Sequence, residues 1–274
     1  MSKISIITIN YNDRNGLQKT IESIVSQTFS DFEYVVIDGN SSDGSKEVIE
    51  TYKSRINYAV SEPDSGIYNA MNKGLRAATG DYVFFLNAGD IFVDNATLQK
   101  ASGFIDGTVD YYYGDVIFRD GENETLVTYP DTLSFHFFTY NCICHQASFL
   151  RRRLFEDHFY YNENLKIVSD WEFLIYTIFL KHISYRHIPL TISYYDFSGI
   201  SSRPESEPMK KAERDIVMQK YFPLFVEDYK IMEELNSKRI QYMLHIKKHP
   251  WAWKILKGVA NSLMPFLPKM KERQ

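Results

Sequence analysis

Cysteine is almost missing from this chain: Cys142 and Cys144 are the only two in 274 residues. Two cysteines one residue apart make a poor structural disulfide, and no disulfide framework exists, so a reducing cytoplasm is the expected compartment. Long apolar runs are missing too. No stretch reaches the roughly 18 uncharged apolar residues of a spanning helix. The run Ile4 to Ile9 is short and lacks a small-residue cleavage site, so it does not read as a signal peptide. Neither sign of charge dominates: 31 Lys and Arg stand against 35 Asp and Glu, a net charge of -4. That balance lacks the basic footprint of a nucleic-acid binder.

Several phosphate and metal signatures are also absent. No Gly-x-Gly-x-x-Gly follows the first strand-like run, which excludes a dinucleotide fingerprint, and no Gly-x-x-x-x-Gly-Lys-Ser/Thr occurs, which excludes a P-loop. There is no His-Glu-x-x-His and no paired Cys-x-x-Cys. Cys142-Ile143-Cys144-His145 has the wrong spacing for zinc and no second ligand pair.

What remains is a strand and helix alternation. Ile4 to Ile9 and Glu33 to Asp38 are β-branched, buried-strand sequences; Ile56 to Val60 is a short third strand, and Tyr82 to Leu86 is almost wholly apolar. Between them, Leu17, Ile21, Ile24 and Val25 recur at helical spacing, Asp43 can cap a second helix, and Ser65 to Ala78 reads helical up to Gly80. The pattern predicts an α/β fold with helices on both faces of a mostly parallel sheet. Further on, Asp94 to Phe104 and Asp170 to Leu180 read as helices. Asp110 to Phe118 and Thr125 to Tyr129 read as strands around an Asp120-Gly121-Glu122-Asn123 turn, and Ile188 to Tyr195 as another strand. Ser198 to Pro208 reads as a mobile loop, and from Met209 onward the chain is helical. We therefore expect one α/β domain over residues 1–208, with a change of pattern near residue 92, and a helical extension over 209–274.

Ligands of open α/β sheets bind beyond the carboxyl ends of the strands. Three strands here end in polar clusters: Thr8 to Asn12, Asp38 to Gly44, and Asn87-Ala88-Gly89-Asp90. A carboxylate at a strand end is desolvated and needs a partner. Each residue also has a structural reading: Asp38 as a turn cap, Tyr11 as core packing, Asp90 as a helix cap. Their recurrence at successive strand ends favours a ligand site.

The runs Ser5 to Asn12, Ser23 to Thr28, Val36 to Gly44, and Glu62-Pro63-Asp64-Ser65-Gly66-Ile67-Tyr68-Asn69-Ala70-Met71-Asn72-Lys73-Gly74 closely resemble the inverting family 2 glycosyltransferases. Phe85 to Asp90 resembles a variant of that family's metal-binding DXD segment, with Asn87 and Gly89 at positions where the fuller pattern has carboxylates. The likeness spans roughly residues 4–195. It implies a GT-A fold, a Rossmann-like sheet with a C-terminal helical extension, a nucleotide-diphosphate sugar donor with UDP favoured, and Mn²⁺ or Mg²⁺. By position, Thr8, Asn10 and Tyr11 would line the base pocket, Asp38 would bond the base, and Asn40, Asn72, Lys73 and Asn87 would lie along the nucleotide-sugar. Asp90 would hold the metal. Asp170, in Lys166 to Glu172, matches the position of the family's base, with an N-cap as its structural alternative; Glu172 is the fallback base, and His145 is an acceptor-side candidate or a structural histidine.

The tail interleaves Trp251, Trp253, Ile255, Leu256, Val259, Leu263, Met264, Phe266 and Leu267 with lysines. From residue 238 onward it carries nine Lys and Arg, Lys269, Lys271 and Arg273 included, against Glu272 alone. It suits a peripheral helix on the cytoplasmic face of an anionic membrane, and equally a helix packed on the domain or on a second copy in a homodimer. The expected function is sugar transfer to a saccharide or lipid-linked saccharide in surface polysaccharide or glycolipid synthesis. A non-catalytic nucleotide-sugar-binding or scaffold protein is the alternative. The sequence offers no Gly-rich, Lys/Arg-bearing loop for a nucleotidyltransferase.

Overall fold

A computed structural model of the chain describes residues 3–196, 199 and 203–268. The chain divides into two compact units, Met1–Pro223 and Leu224–Gln274. Part of the loop expected from Ser198 lies outside the described residues, as do Lys269, Lys271, Glu272 and Arg273 of the basic tail.

In the first unit the chain alternates β1 (Ile4–Asn10), α1 (Arg14–Val25), β2 (Phe32–Asp38), α2 (Ser45–Thr51), β3 (Tyr58–Ser61), α3 (Ile67–Ala77) and β4 (Tyr82–Phe85). There follow β5 (Ile91–Phe92), α4 (Thr97–Ser102), the hairpin β6 (Tyr111–Asp120) and β7 (Asn123–Val127), α5 (Phe135–Tyr140), β8 (Ser148–Arg151) and α6 (Arg153–Asp157). Last come α7 (Ser169–Leu180), β9 (Tyr185–Asp196) and α8 (Glu207–Tyr221). The described strands form one sheet in the order β3-β2-β1-β4-β8-β6-β9-β5, with β7 on β6. The four strands β3, β2, β1 and β4 are parallel; β8 joins β4 antiparallel and begins a mixed half. All seven residues of β1 are buried, the pattern of a central parallel strand covered on both faces.

The chain moves from β1 to β2 to β3 through α1 and α2, then reverses over α3 to reach β4 on the other side of β1. With right-handed crossovers, that reversal carries α3 to the opposite face from α1 and α2. It also opens a crevice beyond the carboxyl ends of β1 and β4, where ligands settle in such sheets. Asp13 caps α1 by accepting from the Gly16 N–H at 2.9 Å. Buried Thr20 on α1 then reaches under the β4 end: its hydroxyl donates to the Asp90 carbonyl at 2.7 Å and accepts from the Gly89 N–H at 3.1 Å.

The first unit runs past residue 208 to take in α8, whose Glu213, Val217 and Met218 are buried. The second unit holds α9 (Val226–Leu235), α10 (Lys238–Lys247) and α11 (Pro250–Leu263).

On α3, Gly74 faces the sheet, and a Cβ there would overlap Ile7 Cγ2. Ala is the better helix former by about 1 kcal/mol, but overpacking costs about 1–3 kcal/mol. Gly74→Ala should therefore lower stability by about 1–2 kcal/mol, read as a lower urea midpoint at unchanged slope.

Candidate active site

The crevice is a cavity of about 850 Å³. One wall comes from Asn10 and Tyr11 at the end of β1, Gly39 and Asn40 after β2, and Asn87, Ala88 and Asp90 after β4. The other comes from His145, Gln146, Lys166, Ile167 and Asp170, with Tyr195 and Asp196 at the end of β9. Pro63, Asp64 and Tyr68 close the side along α3.

Asn12 and Asn40 turn the chain at the ends of β1 and β2 with φ of 50° and 64°, the left-handed region in which asparagine is tolerated. Behind that turn, Asp38 is wholly buried. It accepts from Asn10 Nδ2 at 2.7 Å, Ser41 Oγ at 2.5 Å, the Ser41 N–H at 2.9 Å and Ser61 Oγ at 2.5 Å. Burial alone would raise its pKa, but these donors outweigh burial and hold the carboxyl below its ordinary value.

Asp90 is also buried, with fewer donors. It accepts from Gln146 Nε2 and from the Asp196 N–H, each at 2.9 Å. Burial pushes its carboxyl up to about 6, against the smaller opposing effect of those two bonds. Nearby, Asn87 Nδ2 donates to His145 Nε2 at 2.9 Å, which leaves the ring proton on Nδ1, facing Asp170 Oδ2 at 3.6 Å. The Oδ1 atoms of Asn10 and Asn87 are buried without a partner. Two orphaned acceptors on cavity-lining residues are open to a donor or a cation. Among the described residues no three His, Cys, Asp or Glu side chains group as a metal cage. Asn87, Asp90 and Asp196 all line the cavity, and amide and carboxylate oxygens are the hard ligand type that a divalent cation takes together with phosphate and water.

Asp170 stands at the N-terminus of α7. Its Oδ1 accepts from the Tyr68 hydroxyl at 3.1 Å, and that hydroxyl accepts from the Ser169 N–H at 3.0 Å. Glu213 on α8 accepts from the N–H groups of Lys166, Ile167 and Val168 at 2.6, 3.0 and 3.2 Å.

Of the expected site residues, Asn10, Tyr11, Asn40, Asn87, Asp90, His145 and Asp170 line one cavity. Thr8 and Asp38 lie beneath it; the Thr8 hydroxyl donates to the Leu86 carbonyl at 2.8 Å. Asn72 is buried and donates to the Tyr161 carbonyl and to Glu163, each at 2.8 Å. Lys73 donates to the Pro63 carbonyl and pairs with Glu62, each at 2.8 Å. Glu172, two residues beyond Asp170 on α7, is buried outside the cavity and pairs with Lys220 at 3.1 Å. Tyr68, Gln146, Asp196 and Glu213 shape the site without having been expected there. Tyr68 falls inside the run Glu62 to Gly74 and Gln146 follows the candidate His145, so a local signal existed. Asp196 and Glu213 arrive by long-range packing and carry none.

The family model described as Glycosyl transferase family 2 matches residues 5–163. A PGL/p-HBAD biosynthesis glycosyltransferase of Mycobacterium bovis (strain BCG / Pasteur 1173P2) is 33% identical over 205 residues, covering 72% of this chain and 78% of that protein. Among solved structures, S. aureus TarS 1-349 in complex with UDP-GlcNAc has a TM-score of 0.63 at 22% identity, covering 86% of this chain and 67% of that one. The mannosyltransferase PcManGT from Pyrobaculum calidifontis, in complex with GDP-Man and Mn2+, has a TM-score of 0.61 at 16% identity, covering 95% of this chain and 80% of that one. The structural likenesses carry the GT-A fold, and the family match, over more than half of the chain, makes it a member of glycosyl transferase family 2.

Proposed function

We propose that the chain is an inverting, divalent-cation-dependent glycosyltransferase that moves a sugar from a UDP-sugar to a hydroxyl of a saccharide or lipid-linked saccharide in surface polysaccharide or glycolipid synthesis. The observation that carries this reading is the single cavity that joins the strand-end polar groups of β1 and β4 to the carboxylate of Asp170 across from them.

Asn10 and Asn87 offer unpartnered carbonyl oxygens to donor hydroxyls. Tyr11 is 68% exposed beside them and gives a nucleobase a ring to stack on. Asp90, with Asp196 and Asn87, would hold a divalent cation, which offsets charge on the departing diphosphate. The buried, poorly compensated carboxylate of Asp90 and the Mn2+ in the PcManGT complex support that part of the reading.

Asp170 is the general base. Tyr68 and the Trp171 N–H occupy its Oδ1, at 3.1 and 2.9 Å, so Oδ2 is the oxygen left toward the acceptor. Oδ2 takes the proton of the acceptor hydroxyl while the hydroxyl oxygen bonds to the anomeric carbon. The bond from that carbon to the diphosphate oxygen breaks, its electron pair leaves with the nucleotide, and one displacement inverts the centre. His145, held by Asn87 at Nε2, stands with Nδ1 3.6 Å from Oδ2 on the acceptor side of the cavity.

The second unit supports a membrane-facing role. On α11, Trp251, Ile255, Val259 and Leu263 recur every fourth residue and are exposed, beside Lys254 and Lys257. No helix among the described residues is long and apolar enough to cross a membrane. The apolar face with flanking lysines matches the surface of an anionic bilayer.

Calorimetry with UDP, GDP and dTDP, each with and without Mn²⁺, tests the donor reading. UDP should bind tightest, and only with the ion; no binding by any of the three would sink it. Asp90→Ala should remove the Mn²⁺ dependence of UDP binding. Asp170→Asn should bind UDP within about twofold of the parent yet lose about 10²–10⁴ in transfer rate; parent-like transfer would dismiss Asp170 as the base. For the tail, the parent should co-sediment with phosphatidylglycerol vesicles and not with phosphatidylcholine ones, and Trp251→Glu with Ile255→Glu should cut binding at least about fivefold. A parent that ignores both vesicles would leave the face to protein packing.

A further inference from the structure

We infer that Asp64, rather than Asp38, is the carboxylate that reads the donor's nucleobase, and that its one available oxygen selects an imide N–H, that of uracil or thymine. This rests on the nucleotide-sugar reading above and identifies the residue that sets its base specificity.

Asp38 is closed to a ligand. It has no exposed surface, does not line the cavity, and already accepts four hydrogen bonds from Asn10, Ser41 and Ser61. The residue after it, Gly39, does line the cavity and carries no side chain. The space a side chain there would occupy is taken by Asp64. A Cβ on Gly39 would overlap Asp64 Oδ2 and lie 3.0 Å from Tyr11 Cδ2. Asp64 Oδ2 and the edge of the Tyr11 ring therefore border the same space over Gly39. A base stacked on that ring brings its hydrogen-bonding edge within reach of this oxygen.

The two oxygens of Asp64 are not equivalent. Oδ1 accepts from the Gly66 N–H at 3.0 Å, within the turn that starts α3. Oδ2 is the oxygen directed toward Gly39. A carboxylate that offers one oxygen suits a base edge with one donor. Uracil and thymine present a single N3–H. Cytosine presents an acceptor at N3, which a carboxylate repels. Guanine presents two adjacent donors, best met by two oxygens of one carboxylate. Lys73, 22% exposed and tied to Glu62 and Pro63, holds the loop that carries Asp64 from behind.

The test is calorimetric titration of the full chain, in Mn²⁺, with UDP, dTDP, CDP and GDP, for the parent, Asp64→Asn and Asp38→Asn, with thermal melting of each. The parent should bind UDP or dTDP at least about tenfold tighter than CDP or GDP, since a site built around a polar group rejects a mismatched edge strongly. UDP against dTDP separates uracil on ribose from thymine on deoxyribose. Asp64→Asn, whose amide can donate to cytosine, should melt like the parent and bring the ratio of UDP to CDP within about threefold. Asp38→Asn should melt lower and keep the parent's ratio. An Asp64→Asn protein with the parent's ratio would overturn the assignment while leaving the donor reading standing. A parent that prefers CDP or GDP would overturn the imide selection. A parent that binds none of the four would overturn both readings together.

Discussion

The start of α7 is the constraint on which the site depends. A helix N-terminus carries N–H groups without intrahelical partners, and leaving such a donor buried and unmet costs about 1–3 kcal/mol. Here Val168 stands at the cap position and its side chain offers no bond. The preceding N–H groups are met instead by Glu213 of α8, and that of Ser169 by Tyr68 of α3. Three segments far apart in the chain thus converge on one turn. Trp171 adds a fourth tie through its indole N–H to the Phe138 carbonyl at 3.0 Å, and Arg214 lies over its ring at 5.0 Å. The same Tyr68 hydroxyl that satisfies the backbone also takes one oxygen of Asp170. The Tyr68 hydroxyl that fixes the α7 start therefore also orients Asp170.

The two buried strand-end carboxylates show how neighbours decide chemistry. Asp38 ends β2 and Asp90 closes the turn between β4 and β5, and both are buried away from water. Asp38 is surrounded by short hydroxyl, amide and backbone donors that stabilise its charge, so it serves the turn. Asp90 receives one side-chain and one backbone donor, and burial prevails. A residual demand for positive charge is left at the β4 end and not at the β2 end. That asymmetry is why the proposed cation is placed at Asp90 and not at Asp38.

Much of this was legible in local sequence, and the reason is period. β1, β2 and β4 are runs of apolar, mostly β-branched or aromatic residues, and α1 and α3 repeat at 3.6; such patterns survive without tertiary knowledge. β8 has four residues and no period of its own, so its insertion beside β4 was not readable. Nor was the extent of the first unit. The sequence of α8 looks like an ordinary charged surface helix, yet Glu213 is buried because three backbone N–H groups await it. The strand-end residues Asn10, Tyr11, Asn87 and Asp90 were legible because they follow strands. Which of Asp38 and Asp64 faces the cavity was not, because that depends on how a later loop folds back.

Twice in this site a glycine has a carboxylate from a later segment packed close against it. At the β2 end Gly39 yields to Asp64. At the β4 end Gly89 yields to Asp196, whose Oδ2 would lie 3.3 Å from a Cβ added there. Gly89 has its own reason to be glycine. The Asp90 N–H donates to the Asn87 carbonyl at 3.0 Å and closes a turn that puts Gly89 at φ 98°, a conformation costly for any other residue. An acid at position 89 would strain this turn and crowd the Asp196 carboxylate at the end of β9. The thinner acid pattern of Asn87-Ala88-Gly89-Asp90 is therefore not a simple loss of charge. A carboxylate stands there from β9, on a strand that also donates its own backbone N–H to Asp90, so the turn after β4 and the end of β9 are tied at one point. A substitution that restored an acid at position 89 would compete with Asp196 for the same volume and would weaken the site it nominally completes.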